Sequence, residues 1–447
     1  MKFMTRDLTT GPETKVIVAF AIPLIVGNLF QQLYNVADTI IVGRFIGPHA
    51  LAAVGSSFTL MVFLTSVILG LCMGSGVTYS TFFGAKDEEN LKKSIFTSFW
   101  FIGLVTVVIN LLALFFLEPI LQFIRIPPEI FEDTKTYLRI IFYGIGFTAV
   151  YNYFATLLRS LGNSFIPLLF LIMATIINIV LDLVFILPLQ MGIAGAGWAT
   201  LIAQTFSALG LAIYCVIKVP QLRLDPVHRE FDRGLLKTIA SFSVLTSVQQ
   251  SLMNFGILLV QGLVNSFGVS VMAAFAAGVK IDSFAYLPAQ DFGNAFATFI
   301  AQNKGAEKYD RIQRGIRSSL ILITGFCVAV SLLVVVFAKP LLTIFIHPNE
   351  TEILRVGIQY LRIEGAFYFL IGYLFMFYGL YRGFGSAQTS VILTLLSLGT
   401  RVVLAHMLAA IPSIGVWGIW ISIPIGWLLA DLVGFAKMGR LQLQARV

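Results

Sequence analysis

The sequence predicts an all-α polytopic membrane protein with twelve transmembrane helices in two pseudo-symmetric six-helix bundles. Three observations predict it. Of 447 residues, 58% are hydrophobic and only 12% charged, with a mean hydropathy of +0.89, a balance that no water-soluble globule of this size requires. The apolar residues gather into runs of about 20 or more, the length a helix needs to cross a bilayer. Residue identities also recur at a nearly constant offset between the two halves.

The first run, 16–43, follows the polar opening MKFMTRDLTTGPETK. It is too long for a secretory signal and has no small-residue cleavage pattern, so it is expected to stay as a helix. The runs 50–79, 94–117, 136–158, 164–188 and 195–217 complete a first bundle, assigned to residues 1–218. The linker KVPQLRLDPVHREFDRG is the longest polar stretch near the middle and sets a boundary at 219–236. After it, 238–264, 270–302, 315–338, 353–380, 388–411 and 414–436 form a second bundle, 237–447.

The halves resemble each other. GAKD at Gly84 answers GAEK at Gly305; Pro119, Leu121 and Pro127 answer Pro340, Leu342 and Pro348. YLRI occurs at Tyr137 and again, letter for letter, at Tyr360, while Arg159, Gly162, Gly192 and Gly195 answer Arg382, Gly385, Gly415 and Gly418. An even number of spans per repeat places both halves in the membrane the same way, related by an axis along the membrane normal. Two parallel bundles of this kind are a transporter architecture.

The formal charge of +8 would suit nucleic acid, but most Lys and Arg residues fall in short loops on one side. The opposite loops hold only Arg44, Arg125, Lys135, Lys339 and Arg355. This is the positive-inside pattern, so both termini are expected to be cytoplasmic and no nucleic acid is expected as a partner. Cys72, Cys215 and Cys327 have no metal-ligand spacing and read as small hydrophobes. No nucleophile, base and acid set stands out, and His406 is alone among apolar neighbours, so an enzyme is not expected.

Polar side chains interrupt the runs in an ordered way. Asn28, Gln31, Asn35 and Asp38 line one face of the first span; Ser243, Ser247, Gln250, Asn254, Gln261 and Asn265 do so on the seventh. Amides cannot face lipid unpaired, so both stripes are expected to face the bundle interior or water. Each amide alone reads equally as helix-to-helix glue; two stripes at equivalent places favour a shared cavity.

An ionisable group inside a span is a functional hypothesis by default. Helical rise places Asp38, Asp182 and Thr200 at one depth, with Asn178 a turn deeper. Four oxygen-bearing side chains meeting there would suit a hard cation, with Na⁺ as the metal to consider. They equally suit a proton, since two carboxylates buried side by side cannot easily both be charged. A structural hydrogen-bonded cluster is the plain alternative. At the repeat offset Asn178 maps to Arg401 and Asp182 to Ala405, so the second half does not copy the site. Its own intramembrane charges, Lys280, Asp282, Glu364 and Arg401, are expected to pair internally, or else to touch substrate. Asp291 and Asp431 lie nearer the cytoplasmic ends, where gating or simple solvation is expected. Pro23, Pro167, Pro288 and Pro424 are expected to kink their helices.

PLIVGNLFQQLYNVADTIIVGRFIG, FFGAK, LLRSLGNS, NIVLDLVFI and GIAGAGWAT, in this order and spacing, resemble the multidrug and toxic compound extrusion (MATE) transporters over nearly the whole chain. The resemblance implies two six-helix lobes forming a V, and export of amphipathic, often cationic, compounds in exchange for H⁺ or Na⁺. It implies that Asp38, Asn178, Asp182 and Thr200 match the first-lobe cation ligands of some members, and that Pro23 matches a proline whose bending has been linked to protonation. Another branch uses an acid in the seventh span, which this sequence lacks.

The expectation is therefore a bacterial inner-membrane secondary antiporter, monomeric, surrounded by lipid, handling a small-molecule substrate, with no cofactor beyond the coupling ion. Asn28, Gln31, Tyr34, Asn35, Gln250, Asn254, Gln261, Lys280 and Arg401 are expected to line the substrate cavity, with Phe154 and Met253 as further apolar contacts. The alternative is a flippase for lipid-linked saccharides, which would call for several cavity cations; only Lys280 and Arg401 are candidates. A passive channel is the remaining reading, since a repeat does not by itself demand coupling.

Overall fold

A computed structural model describes residues 6–229 and 231–444. The chain ends, on which the expectation of cytoplasmic termini falls, and Glu230 of the linker lie outside the described residues. The described residues form helices and connecting turns, with no strand. The helices are α1 Glu13–Phe45, α2 Pro48–Ala85, α3 Glu88–Phe115, short α4 Leu117–Phe123, α5 Pro128–Tyr143, α6 Ile145–Ser160, α7 Phe165–Ile186 and α8 Gly192–Lys218. Two 3₁₀ turns, Pro220–Leu222 and Pro226–Arg229, lead to α9 Arg233–Asn265, α10 Val269–Gly305, α11 Tyr309–Val336, short α12 Ala338–Thr343, α13 Thr351–Gly365, α14 Tyr368–Gly383, α15 Ala387–Ala409 and α16 Val416–Gln444.

Ten of these helices are long and apolar enough to cross a membrane, and two pairs, α5 with α6 and α13 with α14, pass the same test together despite bends of 44° and 51°. Counting each bent pair as one span gives the twelve expected. The sharp bends carry no proline. They fall at Gly144 and at Ala366–Phe367, whereas Pro23, Pro288 and Pro424 sit inside unbroken helices. Pro167 is the third residue of α7, in the first turn, where its missing N–H has no intrahelical partner to lose.

The duplication is written into the backbone. Positive φ angles recur at the repeat offset: Gly47 with Gly268, Lys86 with Glu307, Gly162 with Gly385 and Gly192 with Gly415. At Gly162 the requirement is steric as well as conformational, since a Cβ there would lie 2.0 Å from the carbonyl oxygen of Arg6.

Contacts divide the chain into two compact units, one of residues 1–7 and 22–250, the other of 8–21 and 251–447. The division departs from the chain-order boundaries at two helices: the first third of α1 packs with the second unit and the first half of α9 with the first. Hydropathy shows where a helix runs but not which bundle it joins.

In the first unit, α9 lies directly on α2. A Cβ at Gly70 would come within 2.3 Å of the Ser247 Cα, and one at Gly74 within 2.5 Å of the Ser243 Cα. This is the close approach that small residues permit in membrane bundles. Ser243 donates to the Leu71 carbonyl at 2.9 Å, Ser247 to that of Val67 at 2.7 Å, and Ser75 and Ser243 share a bond at 2.9 Å. The start of the α9 stripe is thus helix-to-helix contact and does not line a cavity.

In the second unit, residues 8–13 are fastened to α10 and α11. Leu8 is buried; its N–H is accepted by Gln302 at 3.1 Å and its carbonyl accepts from Asn303 at 3.1 Å. Arg311 donates to the Thr10 and Gly11 carbonyls at 2.9 and 2.5 Å, and Lys308 to that of Thr9 at 2.9 Å. Glu13 pairs with Arg314 at 2.8 Å.

Candidate functional site

The acids of the first unit meet through three long helices. Asp38 lies seven residues before the end of α1 and Asp182 four before the end of α7, while Thr200 lies eight past the start of α8. At 1.5 Å per residue these are levels of roughly 6–12 Å from the helix ends, and the antiparallel course of α8 brings its start to that level. The α1 face opposite Asp38 carries Leu33, Val36 and Ile40, all about half exposed, as lipid-facing residues should be.

Thr200 is the hub. Its Oγ1 lies 3.1 Å from the Tyr34 hydroxyl and accepts from Asn178 Nδ2 at 3.3 Å. Asp38 and Asp182 are direct neighbours, 6% and 0% exposed. Asp38 Oδ1, Asn178 Oδ1 and both Asp182 carboxylate oxygens are buried with no hydrogen-bond partner. Oxygens gathered without a donor form a site that a positive species would complete, because an uncompensated buried carboxylate is strongly disfavoured. Among the described residues no group of three or more His, Cys, Asp or Glu could hold a metal ion. A Na⁺ here would draw on two carboxylates supplemented by an amide and a hydroxyl, and a proton needs only one carboxylate.

Asp38, Asn178, Asp182 and Thr200 are thus brought together, and Tyr34, expected as a substrate contact, joins them through Thr200. Sequence reasoning missed Tyr137. Its buried phenol neighbours Thr200, Asp38 and Asp182, and the signal that pointed to it was the repeated YLRI. Asn28 and Asn35 are half-buried and Gln31 exposed on α1. Gln250 reaches Met73 Sδ at 3.8 Å, and Gln261 donates to Asn265 at 2.8 Å. Phe154 is packed against Tyr153 in the first unit's core, with ring centroids 5.3 Å apart.

The second unit has its own acid cluster, differently built. Tyr360, the repeat partner of Tyr137, donates to one Asp282 oxygen and Tyr368 to the other. Glu364 stands beside Asp282, with Arg401 as its electrostatic neighbour. Trp420 packs edge-on against Tyr360 with centroids 4.8 Å apart. The expected ion pairs do not form: among the described residues Lys280 and Arg401 make no ion pair, and Lys280 lies over the Phe345 ring at 5.8 Å. Two residues apart on a helix point to opposite sides, about 200° around it, so Lys280 cannot share the inward course of Asp282. Asp291 and Asp431 are 3% and 2% exposed, which removes simple solvation as their role.

Twelve spans in duplicated halves, with buried carboxylates inside them, define a polytopic membrane transporter. The MatE family profile matches residues 23–184 and again 245–407, once per repeat, and the chain belongs to that family. It is 29% identical to the probable multidrug resistance protein YoeA of Bacillus subtilis over 93% of this chain and 91% of that one. It is 24% identical to the FAD transporter of Shewanella oneidensis over 96% and 94%. The fold matches, with a TM-score of 0.93, 24% identity and coverage of 100% and 99%, a solved outward-facing conformation of a multidrug resistance MATE family transporter.

Proposed function

We propose that the chain is a cation-coupled secondary antiporter that exports amphipathic small molecules across the bacterial inner membrane by alternating access, as a monomer. The supporting observation is the group of buried, unpartnered oxygens on Asp38, Asn178 and Asp182 beside Thr200. Either H⁺ or Na⁺ satisfies them. Filling the site removes the repulsion between two adjacent carboxylates, so the ion favours whichever conformation closes α1 onto α7 and α8. Substrate must bias the same equilibrium in the opposite sense, because coupling is reciprocal. Pro23 stands two residues past the point where α1 passes from one unit to the other, a position from which a change in helix bend would move Asp38. The name of YoeA supports multidrug-type cargo. Asn28, Gln31 and Asn35 in the first unit, and Asn254 and Gln261 in the second, remain the proposed substrate contacts.

The test is dye efflux from proteoliposomes under separately imposed pH and sodium gradients. One gradient should drive efflux in the unmodified protein, and Asp182→Asn should abolish that drive while the protein remains folded. Gradient-driven efflux persisting in Asp182→Asn contradicts the proposal.

A further inference from the structure

Asp431 stands fifteen residues past the start of α16 and thirteen before its end, and is 2% exposed. Both of its carboxylate oxygens are buried with no hydrogen-bond partner, and among the described residues it joins no ion pair. It is separate from the Asp282 cluster. Trp420, which packs on Tyr360 of that cluster, lies eleven residues away, about 16 Å along the helix.

The surroundings of Asp431 come from α14 and α15, in the same unit. On α14, the buried Tyr378 has a phenol that neighbours both Asp431 and Thr394. One turn along α16, Tyr381 donates to the Gly434 carbonyl at 2.5 Å, and a Cβ at Gly434 would lie 2.6 Å from the Phe377 ring. On α15, Thr394 and Ser390 are both fully buried. Their hydroxyl protons are already committed: Thr394 donates to the Ser390 carbonyl at 2.9 Å, and Ser390 to that of Tyr378 at 3.2 Å. The cations of these two helices are engaged elsewhere. Arg382 donates to Asn294 at 2.7 Å, and Arg401, the neighbour of Glu364, is seven residues past Thr394, about 10 Å along α15.

Packing alone does not call for an acid here. At the offset of 223 that relates Arg159 to Arg382 and Gly192 to Gly415, residues Asp431, Tyr378, Ser390 and Thr394 answer Ala208, Ala155, Pro167 and Leu171. Ala208 and Ala155 are fully buried, so the first unit fills the equivalent place with apolar side chains. A charged carboxylate with neither donor nor cation beside it costs far more than a neutral one. A hard metal cation wants several oxygens, whereas a proton needs only one.

We infer that Asp431, set against Tyr378 and Thr394, is a proton-binding site of the second unit, distinct from the Asp38 and Asp182 site, and holds H⁺ as a neutral carboxylic acid. The proton comes from water and adds to one carboxylate oxygen; no other bond changes. The inference is independent of the exporter reading, because it rests on packing within one unit.

The experiment uses the full chain in phosphatidylcholine membranes, isotope-labelled at the aspartate carboxyl carbons, and infrared absorption at neutral pH in choline and in sodium buffer. The spectrum of the wild type minus that of Asp431→Asn should contain one carbonyl band of a protonated carboxyl, shifted to lower frequency in D₂O and equal in both buffers. The same band should be lost when Asp431→Asn is added to Asp182→Asn. If Asp431→Asn does not fold, Asp431→Ala takes its place, since the first unit packs alanine at this position. Carboxylate stretches in place of the carboxyl band, or a carboxyl band that sodium removes, would overturn the inference.

Discussion

Replacing Gly70 by alanine tests whether the α2–α9 contact is a built packing surface. The added Cβ would sit 2.3 Å from the Ser247 Cα and 2.6 Å from its nitrogen, both backbone atoms that no rotamer change can move. Restoring an ordinary carbon contact of about 3.5 Å requires the helices to part by roughly 1 Å. That stretches the Ser247–Val67 bond of 2.7 Å and the Ser243–Leu71 bond of 2.9 Å past useful range. Overpacking costs about 1–3 kcal/mol, and two hydrogen bonds in a membrane bundle contribute about 0.6 kcal/mol each. The total is near 3 kcal/mol, or a fall of roughly 6–12 °C in thermal midpoint for a unit of this size. Gly55 lies on the same helix with nothing within 4 Å of its virtual Cβ, so Gly55→Ala is the matched control. Thermal unfolding of purified protein in detergent reads both. Equal midpoints for Gly70→Ala and Gly55→Ala would refute the reasoning.

Two other predictions concern polar fastenings in the second unit. Arg311→Gln removes donors to the Thr10 and Gly11 carbonyls and should speed trypsin cleavage after Arg6 at least tenfold; an unchanged cleavage rate would show that the remaining bonds from Gln302, Asn303 and Lys308 hold the segment alone. Tyr360→Phe strips a donor from fully buried Asp282 and should destabilise by about 1–3 kcal/mol. Unfolding midpoints of the single variants and of the double variant with Tyr368→Phe would measure this, and a Tyr360→Phe midpoint equal to wild type would count against the bond.

Much of this was legible before any coordinates. Hydropathy located the spans because a bilayer fixes their length, and fixed helical rise placed Asp38, Asp182 and Thr200 at one level. Bends at Gly144 and Ala366–Phe367 were not legible, since neither carries the proline that marks a kink. Periodicity assigned Ser243 and Ser247 to a face of α9 but could not say that the face belongs to α2, whose Gly70 and Gly74 leave room only for backbone. Lys280 was expected to pair with an acid, or else to touch substrate, because it lies at the same middle depth as Asp282, Glu364 and Arg401; on α10 the helical turn points Lys280 and Asp282 to opposite sides. Tyr137 escaped because a buried tyrosine looks like core until its hydroxyl's neighbours are known.

Asp38 and Asp182 are proposed to hold the coupling ion jointly. Equilibrium cation binding to purified protein, titrated with Na⁺ at fixed pH and with H⁺ at fixed Na⁺, tests it most directly. Losing one of two buried carboxylates around a bound cation costs about 3–5 kcal/mol, which is roughly 10²–10⁴-fold in affinity. Asp38→Asn and Asp182→Asn should each show that loss for the same ion with an unfolding midpoint no lower than wild type. Wild-type affinity for both ions in either folded variant would contradict the account.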